Sequence, residues 1–198
     1  EVYKRTGVRI EIIDGAEEAS IIASTDISSL IQKDKDYLYI DVGGGSTEFT
    51  VFSKGKVKKS RSFPIGTVRL LDNKVSDKTW EDVEKWIKKH TKDCEHIEAI
   101  GSGGNINKIH KNSNSKEGEP LSYQYLTDYH NYVSGFSYEE RIRLLGFNPD
   151  RADVILYALT VFTNAMKWSG AEIVHVPRIG LADGIVRTIY NKENNVIK

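Results

Sequence analysis

The sequence predicts an α/β fold in which a five-stranded mixed sheet is flanked by helices. Three observations point to it. Short apolar runs bounded by glycine, asparagine or aspartate recur along the chain, two of them end in clusters of glycine, and stretches with helical apolar spacing stand between and after them. At 198 residues the chain buries about 70% of its unfolded surface, enough for one sizeable domain or two small ones without disulfides or structural metals.

Residues 8–13 (Val-Arg-Ile-Glu-Ile-Ile) alternate as a strand does, and Asp14-Gly15 breaks the run. A helix is expected over residues 16–22, with Glu17 and Glu18 in the first turn, where the macrodipole favours negative charge. The segment 37–42 reads as a buried strand. Gly43, Gly44, Gly45, Ser46 and Thr47 then make a tight loop, and residues 48–52 a second strand. Without Cβ atoms, such a loop lets backbone N–H groups approach an anion closely. Asp41 before it and Glu48 after it put carboxylates beside the same pocket, the combination that a magnesium–phosphate pair requires.

Ser53-Lys54-Gly55-Lys56 turns the chain into a third strand, residues 57–63, crowded by Lys54, Lys56, Lys58, Lys59 and Arg61. Two readings of these charges stay open: an edge strand protected against aggregation, or a track for a polyanionic substrate. After the small-residue turn at Pro64-Ile65-Gly66-Thr67, two readings of Arg69 stay open: a bidentate phosphate ligand or an exposed structural arginine. Residues 79–90 form an amphipathic helix, acidic early and basic late. A fourth strand over 95–100 runs into Gly101-Ser-Gly-Gly104, and a helix over 105–110 aims its N-terminal amides at an anion. Two strand-to-glycine junctions in one domain can bracket a phosphate from two sides. Residues 112–120 read as an exposed loop, 122–133 and 137–145 as helices, and 151–168 as the central packing helix. A fifth strand over 172–176 and a closing helix over 180–190 complete the chain.

The charge balance, 28 basic against 28 acidic residues, produces no global field for nucleic acid or a membrane, and neither is expected as a partner. The single cysteine, Cys94, fits a reducing cytoplasmic compartment. No apolar run approaches the roughly 18 residues that span a bilayer. The five histidines show no pair at zinc spacing, and no serine or cysteine stands in a nucleophile elbow. Glu1 at the start and Met166 as the only methionine suggest an internal piece of a longer chain.

Five motifs stand in order: Ile12-Ile-Asp-Gly-Ala-Glu-Glu-Ala19, Ile40-Asp-Val-Gly-Gly-Gly-Ser-Thr-Glu48, Pro64-Ile-Gly-Thr-Val-Arg-Leu70, Gly101-Ser-Gly-Gly104 and Arg151-Ala-Asp-Val-Ile-Leu156. They resemble those of the exopolyphosphatase/guanosine pentaphosphate phosphohydrolase family over essentially the whole chain. The resemblance implies a ribonuclease-H-like lobe of the actin/hexokinase/Hsp70 superfamily. In that family two lobes face each other across a cleft. The chain resembles the second lobe (residues 31–198, with a helical insertion at about 121–148) plus the end of the first (residues 1–30). The first lobe's Asp-x-Gly-Ser-Asn-Ser sequence is absent from these 198 residues.

By that resemblance Glu18 is the catalytic base, Asp41 and Glu48 lie near Mg2+ and the attacking water, and Gly43–Thr47 (Gly43, Gly44, Gly45, Ser46, Thr47) with Gly103 and Gly104 hold phosphate. The implied reaction is hydrolysis of a terminal phosphoanhydride of inorganic polyphosphate or pppGpp. The competing class is a non-hydrolytic module that binds or senses a phosphorylated nucleotide or ATP. The chain alone is expected to fold and to be nearly inactive without the first lobe, and a homodimer stays open. Departures from the family pattern are Asn105, where Thr or Ser is frequent, and Gly180-Leu-Ala-Asp-Gly184, where Ala182 replaces a positive charge.

Overall fold

A computed structural model describes residues 2–9 and 30–177, together with residues 186 and 190. A short helix α1 (Val2–Thr6) precedes the sheet. Strands β1 (Asp36–Val42), β2 (Thr47–Ser53) and β3 (Lys56–Phe63) form an antiparallel meander. A short helix α2 (Thr67–Leu71) and the long helix α3 (Asp77–Thr91) lead to β4 (Ile97–Ser102), which pairs parallel to β1. Then come α4 (Gly104–Asn112), β5 (Leu121–Ser122), α5 (Tyr123–Ser134), α6 (Tyr138–Arg143), α7 (Pro149–Ala152), α8 (Ile155–Ser169) and β6 (Ile173–His175). The sheet has six strands in the order β3-β2-β1-β4-β6-β5.

The mixed sheet flanked by helices is the predicted architecture, with one strand more than expected. The sixth is β5, two residues that pair antiparallel with β6 before Ser122 caps α5 by accepting from the Tyr125 amide. The predicted helix over 122–133 therefore begins one residue later, and sequence periodicity cannot register so short a strand. Of the predicted strand at residues 8–13, only Val8 and Arg9 are described, and neither lies in a strand. The rest of it, and the predicted helix at 16–22 that carries Glu18, lie outside the described residues. So does the predicted closing helix except for Val186 and Tyr190, both helical.

Helix starts follow local chemistry. Ser76 caps α3 by accepting from the Thr79 amide, and Ser137 with Glu140 forms a reciprocal capping box at α6. The expected single helix over 151–168 is instead two, α7 and α8, broken at Asp153-Val154. The Ala152 carbonyl accepts a hydrogen bond from Arg141 Nη1 at 3.1 Å, which replaces the amide a continuous helix would supply. The break lets Arg151 point at the sheet end while Ile155, Ala158, Leu159, Phe162, Ala165 and Met166, all fully buried, pack into the core.

That core lies between α8, α3 and one face of the sheet, where Leu38, Ile40, Val42, Phe49 and Val51 are buried. Phe49, Phe63 and Trp86 interlock with ring centroids about 6 Å apart (5.9–6.4 Å). The opposite face presents Tyr37, Tyr39, Phe52 and Ile100 and, at its upper end, Asp41 and Glu48. Strands β1, β4 and β6 run parallel, so their carboxyl ends open on one side, the usual ligand crevice of such sheets.

Candidate active site

The first glycine turn joins β1 to β2 and is held from outside. The Gly43 carbonyl accepts from the Thr67 amide at 3.0 Å and the Gly44 carbonyl from Val68 at 2.9 Å. The Gly45 carbonyl accepts from Arg69 Nε at 2.7 Å. A trans peptide sets a carbonyl and the following N–H in opposite directions. With their carbonyls fixed to α2, the amides of Gly44 and Gly45 therefore turn away from it, and neither has an acceptor among the described residues. Gly66 makes this docking possible, because a Cβ there would collide with the Gly44 carbonyl and the Gly45 backbone.

Asp41 and Glu48 are partners across the antiparallel β1–β2 pair, on one face of the sheet. Glu48 Oε1 accepts from Ser46 Oγ and from Ser62 Oγ, each at 2.7 Å. Asp41 accepts from the Tyr39 hydroxyl at 3.3 Å and is hydrogen-bonded by Ser102, its neighbour on β4. Burial, and then the charge of Glu48, nonetheless push the Asp41 carboxyl above the usual carboxylate range. Two acids held face to face in this way are disfavoured as a dianion and gain from an intervening cation.

The second turn lies against the first strand end. Gly103, at φ 106° and ψ 158°, occupies a region essentially restricted to glycine. A Cβ there would stand 3.0 Å from the Val42 carbonyl and 3.5 Å from Asp41 Oδ1. Asp41 is thus flanked by both turns. Gly104 opens α4, whose first amides have no intrahelical partner and carry the positive end of the helix dipole. The Arg151 guanidinium lies directly over Gly104, and Arg151 Nη1 donates to Asn105 Oδ1 at 3.3 Å.

The structure therefore brings Asp41, Glu48, Gly43, Gly44, Gly45, Ser46, Gly103 and Gly104 to one end of the sheet. Thr47 joins them, but its hydroxyl is buried and donates to the Ile65 carbonyl. Arg69 sits on α2 with its Nε on the turn itself. Glu18 lies outside the described residues. Reading the sequence alone missed Ser62, Ser102 and Arg151 as site residues. Alternation along β3 carried the signal for Ser62, since the residue paired with Glu48 must share its face. Arg151 opens the motif Arg151–Leu156, but nothing in that motif assigns its side chain a role, because Arg151 reaches the site only through the break between α7 and α8. Cys94 is no nucleophile candidate: burial, then Asp36, pushes its thiol up to about 11.

Among the described residues no group of three or more His, Cys, Asp or Glu gathers as a ligand set. Two carboxylates beside unpaired backbone amides would suit magnesium, which keeps several waters and takes one or two carboxylates together with substrate phosphates.

Comparison with known proteins bears on the fold and the family. The bifunctional 3-dehydroquinate synthase/phosphatase of Fusobacterium nucleatum is 26% identical over 213 residues, which cover 97% of this chain and 32% of that protein. The chain thus spans about a third of the length of that curated relative. The crystal structure of the Aquifex aeolicus Ppx/GppA family member superposes with a TM-score of 0.76 at 24% identity, covering 98% of this chain and 68% of the other. An exopolyphosphatase from Cytophaga hutchinsonii gives 0.78 at 20% identity, covering 96% and 68%. Both likenesses establish the fold. Residues 1–193 match the Ppx/GppA phosphatase family, and the chain belongs to it.

Proposed function

We propose that this chain forms the second lobe of a hydrolase that removes the terminal phosphoryl group of inorganic polyphosphate or pppGpp, with residues 31–198 as that lobe and 1–30 as the end of the first. The observation that carries the reading is the Asp41–Glu48 pair, set across β1 and β2 between two glycine turns. The free amides of Gly44 and Gly45 and the N-terminus of α4 would take phosphoryl oxygens from two sides, and Arg151 adds a guanidinium at the second turn. Asp41 and Glu48 would hold magnesium, which when bound spreads the charge of the transferred phosphoryl group. Ser46, Ser62, Ser102 and Tyr39 orient the two acids.

Glu18, matched to the family's catalytic glutamate, would accept a proton from the attacking water. Loss of a positioned base costs about 100- to 10,000-fold in rate. Glu18→Gln in the intact protein is therefore expected to lower phosphate release by about that factor while polyphosphate and pppGpp still bind. Phosphate release at the native rate would remove Glu18 from the role. Tight binding of either compound, or of ATP, with no magnesium-dependent release by the native protein would instead make this a sensing module.

A further inference from the structure

On the face of the sheet opposite Asp41 and Glu48, β3 and α3 enclose a groove of about 540 Å³ lined by Lys59, Ser60, Arg61, Asp82, Lys85, Trp86, Lys89 and His90. Its basic lining follows from two periodicities. Lys59 and Arg61 stand two apart on β3, opposite Val51 and Phe49, and so share the α3 face. Asp82, Lys85, Trp86, Lys89 and His90 fall three, four, seven and eight positions along α3, one stripe of the helix. Protection of an edge strand explains lysines on β3. It does not explain why α3 aims its own lysines at them.

Asp82 is the one acid among the described lining residues. Lys85 pairs with Glu81 at 3.2 Å, and Lys88 outside the groove with Glu84 at 2.5 Å. Lys59 and Lys89, both exposed, have no acidic partner among the described residues. Burial, and then the charges of Lys89, Lys59 and Lys58, hold His90 below the usual imidazole range. Cations gathered against their mutual repulsion gain when an anion chain neutralises them.

We propose that the groove between β3 and α3 is an exosite for linear inorganic polyphosphate, holding an extended phosphate chain apart from the glycine-turn site. The lining favours a bare phosphate chain over a nucleic acid. Single-strand binders present exposed aromatic faces for base stacking. Here Trp86 and Phe63 are buried, with Arg61 4.4 Å above the Phe63 ring and His90 4.9 Å from Trp86, so both rings are already covered. What remains exposed is ammonium and guanidinium, with the Asp82 carboxylate as the one opposing charge among the described lining residues. Only the choice of polyphosphate among phosphate chains rests on the proposed function.

The test is binding of long-chain polyphosphate, tripolyphosphate and a single-stranded RNA oligonucleotide by the intact protein in EDTA over a salt series. The double variant Lys59→Glu/Lys89→Glu is expected to lose about 10-fold or more in long-chain affinity, and its salt dependence should flatten by roughly 1.4 in log–log slope, about 0.7 per lost phosphate contact. Tripolyphosphate affinity should stay unchanged, and so should phosphate release from it with magnesium restored. Asp41→Asn should leave the long-chain loss caused by the double variant intact. Native long-chain affinity in the double variant overturns the exosite. RNA bound as tightly as polyphosphate, and lost equally in the variant, overturns its ligand and makes the groove a nucleic-acid surface. Because binding is read without turnover, a protein that hydrolyses nothing can still pass this test, and an active one can still fail it.

Discussion

The two glycine turns bracket the same carboxylate, yet they are built on opposite principles. The first is a hairpin loop that does not run on into a helix. The amides of Gly44 and Gly45 are free because the Gly43, Gly44 and Gly45 carbonyls are bound by α2, and that docking depends on the absence of a side chain at Gly66. The second is a strand-to-helix junction that owes its unpaired N-terminal amides to α4 and its backbone shape to Gly103 at φ 106°. The side chain nearest to it among the described residues, Arg151, comes from a distant element. One turn is rigid and packed against backbone; the other is open and covered by a side chain. Substitutions should separate them cleanly.

The largest effect on stability is expected at the packed turn. In Gly66→Ala the new Cβ meets the backbone of Gly44 and Gly45, and backbone on both sides of a closed turn cannot move away as a side chain can. Overpacking of this kind costs typically 1–3 kcal/mol, and here we expect about 3 kcal/mol or more in urea unfolding, along with loss of phosphate binding. A change below about 1 kcal/mol would mean that α2 and the turn are not rigidly docked.

Between the turns, Asp41 should behave as a residue kept for function against stability. Its folded-state carboxyl is raised by burial and by Glu48. The folded state therefore holds the proton to higher pH than the unfolded state does, and stability is lost as pH rises from the ordinary aspartate range through the folded value. Asp41→Asn escapes that loss. Its melting temperature should exceed the native value at pH 7, by about 2–4 °C for each kcal/mol relieved, and the difference should vanish near pH 3. Magnesium should raise the native protein alone. Equal melting temperatures at pH 7 would show that Ser102 and Tyr39 already compensate the charge.

Much of this contrast was legible in the sequence. Both glycine turns, their strands and the flanking acids are local patterns, and local patterns survive folding where the turn has few conformations open to it. The Ser62 contact to Glu48 required only the β3 register. Three features were not legible because they depend on contacts between distant segments. The two-residue strand β5 exists by pairing with β6. The break before α8 exists because Arg141 takes the Ala152 carbonyl. The basic groove exists because α3 lies along β3, although each half of it could be seen as a charged stretch by itself.

The smallest expected effect on stability tests the open turn. In Gly104→Ala the Cβ overlaps only the terminal nitrogens of Arg151, the far end of a side chain that can swing aside. Alanine at a helix position is also favoured over glycine by up to about 1 kcal/mol, which offsets the lost 3.3 Å contact to Asn105. Stability should therefore stay within about 0.5 kcal/mol of native, while phosphate binding falls as the guanidinium leaves. A charge-assisted hydrogen bond contributes about 1.5–3 kcal/mol, so the loss should be about 10- to 100-fold, and Arg151→Ala should match it with no further loss in the double variant. Such non-additivity would mark Arg151 as the group through which the second turn acts. Additive losses would assign the binding to the α4 amides instead, and make the two turns more alike than their construction suggests.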